Sequence, residues 1–120
     1  MSDLNAEKLP ADVLERAIYI IRTQGPTPSS PGERRDGGVA LCAAAAIASA
    51  GLELAGLHQR RAEFEEGLVA SKSTDPIRQV FEEFGWSVGL CNRTVASNDE
   101  FDPRVREESV VKFLRGLPTM

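Results

Sequence analysis

An alanine-rich run, GGVALCAAAAIASAG, occupies residues 37–51 in the middle of the chain. When this run is read as a helix, Val39, Cys42 and Ala46 share one face, and the opposite face is apolar as well. A helix that is apolar on all sides is enclosed by its neighbours, and small side chains let those neighbours approach closely. The run therefore predicts a central helix that Gly51 terminates, with Cys42 buried in the core.

Apolar residues that recur at helical spacing predict four amphipathic helices around the central one. The first lies in LPADVLERAIYIIRTQG and ends at Gly25, and the next two lie in LELAGLHQRRAEFEEGLVASK and TDPIRQVFEEFG. The last begins at Asp102, a good capping residue, with Pro103 in its first turn. The sequence thus predicts an all-α fold, a compact bundle of about five helices that forms a single domain over residues 1–120.

Two segments depart from the helical pattern. Residues 25–38, GPTPSSPGERRDGG, contain three prolines and no large apolar side chain, a composition typical of a flexible loop. In the segment that follows Gly85, Trp86, Val88 and Leu90 alternate with smaller or polar residues. This alternation leaves a short β-hairpin or extended segment open at 86–96.

The charge of the chain argues against nucleic-acid binding. Its 14 basic and 18 acidic residues give a formal charge of −4, whereas proteins that bind DNA or RNA present a basic face to the phosphates. The basic pair Arg34–Arg35 is flanked by Glu33 and Asp36, so its charge is locally balanced. We therefore expect no nucleic-acid partner.

Metal sites, cofactors and membranes are not expected either. The two cysteines and one histidine lack the spacing of a zinc site, and the acidic stretch SNDEFD does not match a calcium-binding loop. The alanine-rich run is too short to span a bilayer. The first residues, MSDLNAEKLP, lack the apolar segment of a signal peptide, so the sequence predicts a cytoplasmic protein.

Cys42 is the residue that invites a catalytic interpretation. A cysteine at a helix N-terminus can act as a nucleophile, and His58, the single histidine, is the available base. In one straight helix the two would stand about 24 Å apart, so they meet only if the chain reverses between them. Asn98 or Asp99 would then orient the histidine. A purely structural interpretation, with a cysteine buried in the core and a histidine on the surface, is favoured because such residues are far commoner than catalytic ones.

The order of these pieces resembles an uncharacterised family of small bacterial helical domains. Members have a cysteine that opens an alanine-rich helix and an Asn-Asp pair before a C-terminal helix. The matching stretches here are LCAAAAIASAG, SNDEFD and REESVVKFL, which together with their surroundings cover most of the chain. The resemblance implies a helical fold and no established function, and it makes Asn98 and Asp99 a structural cap.

These observations predict a small non-enzymatic module that binds or regulates through a protein partner or through self-association. The amphipathic faces extend beyond what one small core hides, which leaves an apolar patch for a partner. The alternative is a thiol-dependent enzyme in which Cys42 attacks, His58 acts as the base and Asp99 orients it.

Overall fold

The computed structural model describes residues 8–27, 30–36 and 38–120, and most of these are helical. The predicted helical bundle is confirmed, but the fold is not strictly all-α because one antiparallel hairpin is present in the described ranges. The elements in chain order are α1 Ala11–Gln24, β1 Gly32–Arg35, β2 Gly38–Leu41, α2 Ala43–Leu54, α3 His58–Ser71, α4 Asp75–Glu83, α5 Val88–Ser97 and α6 Arg106–Arg115, with 3-10 turns at Asn98–Glu100 and Pro103–Val105.

Helix α2 is the centre of the bundle, as the alanine-rich run predicts. Every residue from 43 to 52 is buried, and α1, α3, α4 and α5 all pack against this helix. The prediction that Gly51 ends the helix is wrong, because α2 continues to Leu54. A Cβ atom at Gly51 would lie 2.6 Å from Cη2 of Trp86, so this glycine gives the indole ring room to pack on the helix.

The start of α2 differs from the sequence prediction. Gly38–Leu41 is strand β2, and it pairs with β1 in a register that sets Gly32 opposite Leu41. The N–H groups of Leu41 and Cys42 donate to the carbonyl oxygens of Gly25 and Pro31, at 3.2 and 3.1 Å. The backbone is still extended at Cys42, where ψ is 168°, so α2 begins only at Ala43. The segment 25–38, for which composition predicts a flexible loop, thus contains a strand, although residues 28, 29 and 37 lie outside the described ranges.

The prediction of a β-hairpin or extended segment at 86–96 is wrong, because this segment forms α5. The Ser87 hydroxyl accepts a hydrogen bond from the N–H of Leu90, 3.1 Å away, and so caps the helix. Leu90, Cys91 and Thr94 are buried on one face. The alternating residues that suggested a strand are few. Trp86 precedes the helix, and Val88 and Leu90 lie in its first turn.

Helices α1 and α6 run antiparallel, and contacts at both ends hold them together. At one end, the Arg22 guanidinium lies 3.1 Å from a carboxylate oxygen of Glu107 and 3.2 Å from one of Glu108. At the other end, Leu9 donates to Pro118 and accepts from Met120, at 3.1 and 3.0 Å. These contacts fix the groove that lies between the start of α1 and the end of α6.

Asp102, the predicted cap of the last helix, lies one turn before that helix begins. Asp102 accepts from the N–H of Arg104 at 3.0 Å, so it caps the 3-10 turn that precedes α6. This hydrogen bond, followed by the one from the Arg104 side chain, lowers the pKa of the partly exposed Asp102 carboxyl group.

Candidate functional site

Cys42 lies at the floor of a cleft of about 230 Å³ where β2 passes into α2. It occupies the N-cap position of α2, and the residue is only 4% exposed. Its placement just before the helix follows from the hairpin, since β2 carries the chain up to Leu41. The remaining lining residues are Ser30, Pro31, Thr74, Val95, Ala96, Asn98 and Asp99.

Burial dominates the chemistry of the Cys42 thiol. Desolvation raises its pKa, while hydrogen bonds from the backbone N–H groups of Ala45 and Ala44 act in the opposite direction. Burial also raises the pKa of the second cysteine, Cys91, to about 11. Because the thiolate is the nucleophilic form, both side chains are weak nucleophiles near neutral pH.

The structure brings two of the three alternative catalytic residues together and separates the third. Asp99 follows α5 and lines the same cleft as Cys42. His58 is the exposed first residue of α3, beyond the far end of α2. The 12 residues of α2 span about 18 Å at 1.5 Å per residue, so the imidazole lies well away from the sulfur. Among the residues that line the cleft, Asp99 and Cys42 are the ones with an acidic side chain.

Nowhere in the described ranges do three or more His, Cys, Asp or Glu side chains gather in a group that could hold a metal ion. Of the helices that the structure describes, none combines the length and the apolar character that a membrane crossing needs.

The larger concavity is a groove of about 450 Å³ between the start of α1 and the end of α6. Its floor is apolar and is formed by Leu14, Ile18 and Leu114. Glu15 stands on the α1 wall and Arg115 on the α6 wall, and both residues are exposed. The remaining lining residues are Ala11 and Thr119.

Neither of the two charged residues of this groove has a side-chain partner in the described part of the chain. Glu15 takes part in none of the ion pairs or side-chain hydrogen bonds there, and neither does Arg115. Arg106 binds the Asn98 carbonyl oxygen, and Arg93 is also engaged. The other arginines form ion pairs: Arg16, Arg22, Arg34, Arg35, Arg60, Arg61, Arg78 and Arg104.

Sequence reasoning missed this groove. Leu14 and Ile18 recur at helical spacing in the first predicted helix and Leu114 belongs to the last, but local spacing does not show that the two apolar faces meet. The amphipathic helices predict an apolar patch in general, but they do not give its location. The charged walls carry no motif, because Glu15 and Arg115 are 100 residues apart in the chain and become neighbours of one groove only in the fold.

Comparison of the chain with protein-family models, with curated proteins and with solved structures finds no match. The resemblance to a family of small bacterial helical domains therefore stays a prediction. The groove and the Cys42 cleft are the two features of this chain that bear on its function.

Proposed function

We propose that this protein is a non-enzymatic binding module that holds a protein partner in the groove between α1 and α6. The observation that carries the proposal is a groove over apolar side chains, of which Ile18 is partly exposed, between an acidic and a basic side chain that have no partner among the described residues. A partner seated in such a groove covers the apolar surface that is still exposed there, and unpaired charges at the rim orient the partner.

The surroundings of the groove favour a macromolecular partner over a small substrate. The groove is an open trough along two helices, and its floor carries aliphatic side chains with no nucleophile or base among them. Such a surface is better suited to an extended contact with another protein than to the enclosure of a single small molecule.

Site-specific cross-linking tests this proposal. A photoreactive benzophenone side chain at Ala11, an exposed residue of the groove, should form an adduct with the partner in living cells of the native host. The matched control carries the same side chain at Glu82, an exposed residue of α4 on a helix that does not line the groove. Adducts at Ala11 and not at Glu82 support the proposal, and the mass of the adduct identifies the partner. Equal yields at the two positions, or none at Ala11, would contradict it.

Thiol chemistry at Cys42 is the second candidate function. The specific observation in its favour is that Cys42 and Asp99 line one cleft, with the N-terminal amides of α2 beside the sulfur. Burial of the thiol and the distant position of His58 weigh against it. Fast alkylation of Cys42 in the folded protein, slowed by Asp99→Asn, would support this function. Alkylation that requires unfolding would reject it.

A further inference from the structure

We draw no further inference here: the strongest candidate, the exposed apolar patch that Tyr19 and Leu54 form in the shallow concavity between α1 and the end of α2, carries nothing, because nothing in the structure shows what covers it.

Discussion

Gly51 and Gly67 both lie inside helices, but their surroundings are opposite. A Cβ atom at Gly51 would meet Trp86 at 2.6 Å and Phe84 at 3.2 Å, whereas at Gly67 nothing lies within 4 Å. Trp86 cannot move away easily, because its ring stacks on Phe84 with centroids 4.7 Å apart and meets Phe81 edge-on at 5.4 Å. One glycine is therefore required by packing, and the other is only tolerated.

We expect the two alanine substitutions to change stability with opposite signs. Gly51→Ala should lower the free energy of unfolding by about 1–2 kcal/mol, because overpacking outweighs the gain in helix propensity. Gly67→Ala, the matched control, should raise it by about 0.5–1 kcal/mol, since only the propensity changes. Urea denaturation followed by circular dichroism measures both. A stabilising Gly51→Ala would show that the indole ring does not pack against α2 as described.

The two cysteines should be protected in the folded protein. A pKa of about 11 in place of 9.0 makes the thiolate fraction of Cys91 about a hundredfold smaller near neutral pH, and burial acts in the same direction on Cys42. Iodoacetamide should therefore modify both far more slowly in native buffer than in guanidinium. Mass spectrometry of the variants Cys42→Ser and Cys91→Ser follows each thiol alone. Native labelling of Cys42 as fast as in guanidinium would reverse our preference for a non-enzymatic function.

At the scale of elements, a polar network joins the central helix to its neighbours in an otherwise apolar core. Arg61 on α3 donates to Ser49 at 2.7 Å and to Glu53 at 2.6 Å, both on α2, and to Gln24 on α1 at 2.7 Å. It also pairs with Glu65, one turn further along α3, at 2.9 Å, and the Ser49 hydroxyl donates to this same carboxylate. A single guanidinium thus fixes how three helices pack, since its planar fork fits several acceptors at once.

Loss of Arg61 should be costly. Arg61→Ala leaves Glu65, which is buried, without its cation, and we expect the free energy of unfolding to fall by about 3–5 kcal/mol. The neighbouring Arg60 forms an exposed ion pair with Glu83, so Arg60→Ala should cost about 1 kcal/mol or less. Chemical denaturation of the two variants gives the comparison. Similar losses for both would mean that the network contributes no more than a surface pair.

At the scale of the whole molecule, the same network predicts how stability depends on pH. Arg16 on α1 binds the Glu53 carboxylate, and this hydrogen bond, with the charge of Arg61, lowers the pKa of Glu53 below its usual 4.5. The folded state therefore holds this carboxylate ionised to lower pH than the unfolded state does. The stabilisation it supplies is fully present above pH 4.5 and is lost as the pH falls through the folded-state pKa.

We expect the free energy of unfolding to decrease as the pH falls below about 4.5, and the variant Glu53→Gln to show a shallower decrease. The variant should also be less stable at neutral pH by about 2 kcal/mol, because two arginines lose a charged acceptor. Urea titrations at a series of pH values measure both effects. Glu82→Gln, which removes an exposed carboxylate, is the control. An acid slope in Glu53→Gln equal to that of wild type would contradict the assignment.

Much of the helical architecture follows from local sequence. The alanine-rich run specifies a helix enclosed on all sides, because no polar face is available to meet water. Periodic apolar residues and capping residues located α1, α3, α4 and the last helix to within a few residues. These features are readable because the hydrophobic pattern and the turn residues act over one or two helical turns.

Tertiary structure decided what local patterns leave open. The Asp36-Gly37 pair between β1 and β2 is a local hairpin signal, but the position of the hairpin against α1 depends on the hydrogen bond from the Leu41 N–H to the Gly25 carbonyl oxygen, which no short-range rule foresees. Gly51 continues its helix because Trp86 packs on it from 35 residues away. The groove needs Glu15 and Arg115 on facing walls, which only the antiparallel packing of α1 and α6 provides. In each case the deciding contact joins residues distant in the chain, so its energy exists only once the chain has folded.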